Sequence, residues 1–335
     1  MKNLILPKNY TSKLTLIQTE EAIKFVKDNF ERELARSLDL VRVSAPLMVF
    51  PSSGLNDDLN GHERTVSFDI RNLFEKAEIV QSLAKWKRNA LAKYKFGIGK
   101  GLYTDMNAIR RDEDLDNVHS VYVDQWDWEK IITAEQRNLT HLKHVVTKIY
   151  NVIKRVQKKV CTKYTQLSAT LPNKITFVTS QQLLDMYPNA DSKQREYNVT
   201  KKYGAVCIMQ IGGKLSNGLP HDGRAADYDD WNLNCNILLY YPPLDIAMEI
   251  SSMGIRVDGD TLISQLEEKD EPEKLLNAYS QDLMRGLLPL TIGGGIGQSR
   301  LCMFMLEKAH IGEVQVSVWN SVDVAQLEEH NVHLL

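Results

Sequence analysis

The sequence contains few cysteines, and none of them stands in a CxxC pair. The 335 residues include four cysteines, which lie far apart at positions 161, 207, 235 and 302. Zinc ribbons place their ligands in short-range pairs, and small secreted domains carry densely spaced disulfides. Neither class of protein is therefore indicated, and we expect four reduced thiols.

Long apolar runs are also lacking. The N-terminal stretch has only the short run Leu4–Pro7 and no small-residue cleavage site, and no segment approaches the roughly eighteen apolar residues of a membrane span. We therefore expect a cytoplasmic protein with no membrane partner.

The chain has no excess of charge of one sign. It carries 41 Lys and Arg residues against 43 Asp and Glu residues, for a formal net charge of −2. Proteins that bind nucleic acid by massed phosphate neutralisation are usually basic, so we expect no nucleic-acid partner such as tRNA. A charged fraction of 25% beside 43% hydrophobic residues is typical of a globular protein.

The chain also lacks internal repeats and any linker-like stretch rich in Pro, Gly or Ser. We predict a single domain over residues 1–335. Strand-like runs and helical patterns alternate irregularly, which favours an α+β domain over a regular βαβ array.

Two long amphipathic helices are predicted. The first begins at an N-cap Thr19, ends near Leu38 and leads into a β-like run closed by Pro46. The second follows Leu139, and the basic residues on its polar face at 154–159 are predicted to be solvated. Its apolar stripe consists of Leu142, Val145, Val146, Ile149, Val152, Ile153, Val156 and Val160.

The run Ser120–Glu129 alternates as a strand does. This places Gln125 and Asp127 on one face and Trp126 and Trp128 on the other. Further strands are predicted at 174–179, 205–211, 237–241, 247–251 and 313–318, and further helices at 181–187, 260–268, 272–285 and 298–308.

Residues 292–300 form a glycine-rich run, IGGGIGQSR, before a helical pattern. Backbone without side chains can approach a nucleotide closely, and Arg300 adds a cation in the first helical turn. The run is not a dinucleotide fingerprint, because Gln298 occupies the third glycine position, and the chain has no P-loop. On the glycines alone, a tight strand-to-helix turn is an equally good interpretation.

Arg110 precedes the Ser120–Glu129 strand across a polar loop. An arginine at this point can clamp a phosphate while Gln125 and Asp127 orient a small polar ligand. The element ending at Pro46, the segment 110–129 and the run GGGIGQSRL resemble the three ordered motifs of class II aminoacyl-tRNA synthetases, in particular the aspartyl and asparaginyl branch.

Within that superfamily the sequence resembles the ammonia-dependent asparagine synthetases of type A, the aspartate–ammonia ligases. The resemblance implies an α+β fold with an antiparallel sheet flanked by helices, and a homodimer with the first motif at its interface. It also implies that aspartate, ATP and Mg²⁺ form β-aspartyl-AMP, which ammonia converts to asparagine. The matching segments span the chain, at 52–61, 81–88, 101–114, 119–130, 221–231, 249–258 and 291–301.

The resemblance implies a role for each matching residue. A carboxylate that attacks a phosphate must overcome repulsion between anions, so fixed cations are needed. Catalytic roles fall to Asp57, Arg110, Gln125 and Arg300. Aspartate binding falls to Ser82, Lys87, Ser120, Asp127, Asp229, Ser251, Ser252 and Arg256. ATP binding falls to Arg110, Glu113, Glu249, Gly294, Gly295, Gly297 and Arg300, with Glu249 as the metal ligand.

Two of these residues have simpler interpretations when the resemblance is set aside. Lys87 lies in a basic stretch with Lys85 and Arg88, and such stretches are usually solvated. Asp57 lies among glycines and asparagines, a composition typical of turns.

The sequence departs from the family at positions 235 and 236. Cys235 stands where the family has glycine, and Asn236 stands where it has aspartate. An amide binds Mg²⁺ more weakly than a carboxylate does. Either Glu249, Asp230 or Asp245 supplies the missing charge, or the chain is an impaired or repurposed relative. We expect an active enzyme, in which Asn236→Asp leaves activity unchanged or raises it.

Two other functions remain open at this point. One is an aspartyl-tRNA synthetase-related enzyme, and the other is a non-catalytic module that binds ATP and an amino acid. The nitrogen donor is predicted to be free ammonia, because position 2 is Lys rather than the cysteine nucleophile typical of glutamine-hydrolysing synthetases.

Overall fold

An eight-stranded sheet lies at the centre of the protein, in a computed structural model that describes residues 4–57, 59 and 63–335. The strand order is β1-β5-β6-β11-β10-β9-β8-β7, antiparallel except for the parallel pairs β1–β5 and β7–β8 at its two edges. A small sheet has the order β2-β4-β3. The predicted α+β class with an antiparallel sheet is confirmed.

The strands are β1 Leu40–Arg42, β2 Met48–Val49, β3 Val66–Phe68, β4 Ala77–Ile79, β5 Gly101–Ile109, β6 Tyr122–Ile131, β7 Thr176–Thr179, β8 Ala205–Met209, β9 Asp229–Tyr241, β10 Ile246–Arg256 and β11 Thr291–Gly297. The α-helices are α1 Leu16–Leu38, α2 Ala84–Lys93, α3 Leu139–Lys163, α4 Ser180–Met186, α5 Ser192–Tyr203, α6 Gly259–Lys269, α7 Ala278–Met284, α8 Gln298–Leu306 and α9 Ser321–Glu329. None of the described helices is both long and apolar enough to cross a bilayer.

Helix α1 begins earlier than predicted. Its N-cap is Thr15, which forms a reciprocal capping box with Gln18, whereas the predicted cap Thr19 lies inside the helix and bonds back to the Thr15 carbonyl at 2.9 Å. The predicted end at Leu38 is confirmed. Strand β1 ends at Arg42, short of the predicted Pro46.

Helices α1, α3 and α8 cover one face of the sheet. The whole predicted apolar stripe of α3 is buried there, and its basic residues face outward, as predicted. Trp126 and Trp128 are fully buried on this face, and the Trp126 ring lies 4.7 Å from that of Phe30. Truncating either member of that aromatic pair to alanine costs roughly 3–5 kcal/mol.

Several predicted elements differ from the structure. Strands β9 and β10 extend well beyond the predicted runs, because polar residues along them face a cavity and hide the strand pattern. The predicted strand at 313–318 is wrong: a short 3₁₀ turn occupies Ile311–Glu313, and its first backbone N–H groups are capped by His310. The predicted helix at 272–285 is split at Asn277, which caps α7.

Helix α2 corrects the interpretation of the basic stretch as solvated. Lys85, Lys87 and Arg88 are all buried. Lys85 pairs with Asp227 at 2.8 Å, and Lys87 pairs with Asp127. Arg88 donates to the carbonyl groups of Pro289 and Val257, each at 2.8 Å. The three cations thus join α2 to the sheet and its loops.

Candidate active site

A cavity of about 570 Å³ opens on the face of the sheet that carries α2. Strands β6, β9, β10 and β11 form its floor, and the loops around residues 110–120 and 221–228 contribute to its walls. Every residue to which the sequence assigned a site role lines this cavity, and so does Asn236. Segments that are far apart in the chain therefore converge at one place.

The glycine run forms strand β11 rather than a turn. A Cβ added at Gly295 would lie 2.1 Å from Gln125 Oε1 and 3.2 Å from Asp127 Oδ1, both on the neighbouring strand β6. Because a methyl group has no room at that distance, glycine is required for these side chains to lie across the strand. The same contacts confirm that Gln125 and Asp127 share one face of β6.

A buried ion-pair network lies at one part of the cavity. The Arg256 guanidinium donates to Glu129 from Nη2 to Oε2 at 2.7 Å and also contacts Asp229. Burial alone would raise the pKa of Glu129, but the attraction of Arg256 holds this pKa below its usual range. The network thus pairs one guanidinium with two carboxylates inside the protein.

Lys87 approaches the same region from α2. Its ammonium contacts Asp127 Oδ1 and donates to the Gly294 carbonyl oxygen at 3.1 Å. Neighbouring serines add hydroxyl groups: Ser251 donates to the Gly295 carbonyl at 2.9 Å, and Ser120 donates to Ser317 at 2.9 Å. Amino-acid substrates carry one ammonium and one or more carboxylates, and this region holds fixed partners for both.

Two arginines face another part of the cavity with weaker partners. Arg300 donates to the carbonyl groups of Val118 at 3.1 Å and Glu249 at 3.2 Å. Arg110 lies 3.9 Å from Glu113, and its Nε atom is buried without a hydrogen-bond partner among the described residues. Such guanidinium groups retain donors for a phosphate.

Asn236 connects these regions. Its Oδ1 accepts a hydrogen bond from Arg224 at 2.9 Å, and its Nδ2 donates to Glu249 Oε2 at 2.8 Å. Of the three acids expected to replace the missing charge, Glu249 alone contacts residue 236. Asp230 pairs with Arg137 at 2.6 Å, and Asp245 pairs with Lys201 at 2.9 Å.

Cys235 causes no backbone strain. It lies inside strand β9 opposite Met253, fully buried in the core, and it is not among the residues with positive φ. Although the family has glycine at this position, the backbone conformation here does not require it.

Asp57 is buried at the cavity wall. Its Oδ1 accepts from the backbone N–H of Leu59 at 3.0 Å, in a turn, while its carbonyl accepts from Gln81 at 3.0 Å. Residues 58 and 60–62 lie outside the described part of the chain.

Sequence reasoning missed three polar residues of the cavity region, Arg224, Glu129 and Tyr228. Arg224 donates to Ser252 Oγ at 2.6 Å and lies 3.7 Å from Asp229, so it joins the two regions. Burial, together with the carboxylates of Asp57 and Asp229, raises the pKa of Tyr228. The signal for Arg224 was present, since it lies within the matching segment 221–231.

The cavity offers few side chains that could hold a metal ion without help from a substrate. The described residues contain no group of three or more His, Cys, Asp or Glu side chains able to hold a metal ion. Mg²⁺ is commonly bound through one or two carboxylates and the phosphates of its substrate. Glu249, beside the Asn236 amide, fits that mode of binding.

The fold is shared with class II aminoacyl-tRNA synthetases. The asparaginyl-tRNA synthetase of Pyrococcus horikoshii, complexed with asparaginyl-adenylate, superposes with a TM-score of 0.65 at 15% identity, over 89% of this chain and 68% of that one. The aspartyl-tRNA synthetase of Entamoeba histolytica gives a TM-score of 0.62 at 15% identity, over 91% of this chain and 59% of that one. The predicted fold is confirmed.

Curated relatives are far more similar in sequence. The aspartate–ammonia ligase of Clostridium perfringens strain SM101 is 56% identical over 336 residues, covering 100% of both chains. That of Fusobacterium nucleatum is 56% identical over 326 residues, covering 97% of this chain and 99% of its own. These identities favour a ligase over a tRNA synthetase or a binding module. A family model described as aspartate-ammonia ligase also matches residues 17–331, and the chain belongs to this family.

Proposed function

We propose that the cavity carries out the family's reaction with the residues assigned above. The observation that carries this proposal is one continuous chain of contacts across the cavity. It runs from Arg300 through Glu249, Asn236 and Arg224 to the Asp229–Arg256 pair. Partners for phosphate and partners for an amino acid thus lie next to each other.

Aspartate would bind where the buried charges are paired. Asp127 and Asp229 would receive its α-ammonium, while Lys87 and Arg256 would receive its carboxylates. The serines Ser82, Ser120, Ser251 and Ser252 would add hydrogen bonds. In the free protein these ions are paired with each other, which offsets the cost of burying them until the substrate exchanges partners.

ATP would bind with its α-phosphate between Arg110 and Arg300. The β-carboxylate of aspartate attacks the α-phosphorus, and the bond to pyrophosphate breaks, which leaves β-aspartyl-AMP. The two guanidinium groups stabilise the charge that develops on the phosphate oxygens. Glu113 and the exposed backbone of Gly294, Gly295 and Gly297 would contact the nucleotide.

Mg²⁺ would be held by Glu249 and the ATP phosphates, and it would supply charge neutralisation at the phosphates. In the second step ammonia attacks the acyl carbon and AMP leaves. Gln125 would orient ammonia through its amide oxygen, and Asp57 would take up the proton that is released.

One assay tests the reaction. Aspartate, ATP and ammonium should yield AMP and asparagine in equal amounts, and glutamine should not replace ammonium. Arg110→Ala should abolish both products. Aspartyl-tRNA formation, or ATP and aspartate binding without AMP release in the presence of ammonium, would contradict the proposal.

We also propose a cytoplasmic homodimer of single-domain subunits. Four free cysteines fit a reducing compartment. Apolar side chains are exposed around the first motif, at Val41 in the edge strand β1 and at Leu47, Met48 and Phe50, which follow it in the chain. A partner subunit would cover these side chains.

A further inference from the structure

The amide of Asn236 is a fixed link between two charged side chains. The residue is almost fully buried, and its two hydrogen bonds go to Arg224 and Glu249 at 2.9 and 2.8 Å. A guanidinium only donates and a carboxylate only accepts, so the amide has one possible orientation. A flipped amide would set donor against donor and acceptor against acceptor.

The backbone supports this link from both sides. Asn236 pairs with Ile208 on β8 and with Ser252 on β10, so it lies in the interior of the sheet. Strand β10 has a register shift between Glu249 and Ser251, and such irregularities re-aim side chains near functional sites. Arg224 is fixed at a second point by Ser252 Oγ at 2.6 Å.

A carboxylate at position 236 would behave differently. The donor of the 2.8 Å bond to Glu249 would become an acceptor, and two carboxylates would face each other at hydrogen-bond distance. Carboxylates that close do not both stay ionised unless a proton or cation lies between them. Arg224 could compensate one of these charges. Lys193, a second cation that interacts with Glu249, is already paired with Glu196 at 3.1 Å and with Asp222 at 3.4 Å.

We propose that Asn236 is a positioning residue that holds Arg224 and Glu249 in place before Mg–ATP arrives. With aspartate at this position the same arrangement would need a divalent cation. The proposal deepens the proposed function, on which it rests for the role of Glu249 toward Mg²⁺. It follows that the free protein has little affinity for divalent metal and that the ion enters with the nucleotide.

The test uses Mn²⁺ alone, without nucleotide, on the purified full chain. Calorimetry and thermal unfolding are compared for the wild type, Asn236→Asp and the double variant Asn236→Asp/Glu249→Gln. We expect Asn236→Asp to bind Mn²⁺ at least about tenfold more tightly than the wild type, because it offers a second carboxylate. Mn²⁺ should raise the Tm of this variant only.

The double variant is the matched control. Its new amide at position 249 can donate to its new carboxylate at position 236, which restores the link with the donor and acceptor exchanged. Its Tm should therefore not respond to Mn²⁺. Glu249→Gln alone, which keeps Asn236, should leave the weak Mn²⁺ binding of the wild type unchanged.

The proposal is overturned if Asn236→Asp gains no affinity for Mn²⁺. It is also overturned if the wild type binds Mn²⁺ as tightly as Asn236→Asp does and Glu249→Gln abolishes this binding. If Asn236→Asp does not fold, the comparison of the wild type with Glu249→Gln still decides whether the free protein binds Mn²⁺ through Glu249. Asparagine formation by the wild type is measured separately, so a failure of the proposed reaction is distinguishable from a failure at Asn236.

Discussion

At the scale of single residues, Arg300 offers a direct test of phosphate binding. Its N–H groups donate to two backbone carbonyl oxygens, and a phosphate would be a stronger acceptor because it is charged. Arg300→Lys keeps the charge but loses the planar fork, so we expect kcat/KM for ATP to fall about 10- to 100-fold. Steady-state AMP formation measures this.

Arg285→Lys is the matched control. Arg285 directly follows α7 and is exposed, so the same exchange there should leave the kinetics unchanged. If Arg300→Lys has the kinetics of the wild type, the Arg300 guanidinium does not bind the phosphate.

Single residues also show what the sequence could predict and why. The family resemblance identified side chains that all line one cavity in the structure. The local composition, by contrast, wrongly predicted that Lys87 lies on the surface. The partner that offsets the cost of its burial, Asp127, lies 40 positions away in the chain. Pairing across such a distance is set by tertiary structure, which local charge patterns do not report.

At the scale of elements, a side chain at Gly295 of strand β11 is expected to displace the cavity side chains of β6. Gly295→Ala would push a methyl group against Gln125 and Asp127, so we expect kcat/KM for aspartate to fall about 100-fold, with a lower Tm. Adding Gln125→Ala should recover Tm but not activity, because it relieves the clash and removes the orienting amide.

Gly97→Ala is the control for this exchange, since a Cβ there would meet nothing within 4 Å. We expect its activity and Tm to match the wild type. If Gly295→Ala is equally silent, the close approach of β6 side chains across β11 has no functional role.

The 3₁₀ turn Ile311–Glu313 should make stability depend on pH. Its cap, His310, accepts a hydrogen bond from the Gly312 N–H at 3.0 Å through Nδ1, which must be unprotonated. Burial lowers the pKa of His310 from 6.5 to about 4, and the smaller attraction of Asp116 acts in the opposite direction. Between pH 6.5 and about 4, His310 binds a proton in the unfolded chain but not in the folded protein. The free energy of unfolding therefore falls as pH falls.

The loss should be complete near pH 4 and amount to roughly 3 kcal/mol, at about 1.4 kcal/mol per pKa unit. His310→Asn keeps an acceptor at this position but does not titrate. Urea unfolding at several pH values between 7.5 and 4.5 should therefore show a flatter profile for the variant. Parallel profiles would mean that another group causes the loss.

Elements differ in how well sequence predicts them, for a physical reason. Helices α1 and α3 bury one continuous apolar stripe, so periodicity located them. Strands β9 and β10 instead turn polar residues toward the cavity while their other face is buried, and only their apolar ends were found. The mispredicted strand at 313–318 alternates in sequence but pairs with no neighbour among the described strands.

At the scale of the whole molecule, the site depends on strand order. Strands β6 and β11 are neighbours although they are separated by more than a hundred residues, and β10 lies beside β11. Periodicity identifies strands but not their partners, so this arrangement followed from the family resemblance and not from the pattern. The same topology leaves β1, which is part of the first motif, at the edge of the sheet.

That edge predicts how the subunits assemble. An edge strand that pairs on one side only and carries exposed apolar residues is usually covered in a native protein. Val41 in β1 is 56% exposed, and Leu47, Met48 and Phe50 lie nearby in the chain and are also exposed. We expect sedimentation to give about twice the 38.2 kDa of one chain.

Val41→Lys should shift the protein toward monomer, because it places a charge in the interface that must be desolvated. Leu219→Lys changes a leucine of comparable exposure, 64%, on a loop far from β1 in the chain, and it should leave the dimer intact. If the wild type sediments as a monomer, or both variants dissociate alike, the β1 edge is not the interface. If Val41→Lys becomes monomeric yet keeps its asparagine-forming activity, each cavity is complete within one subunit.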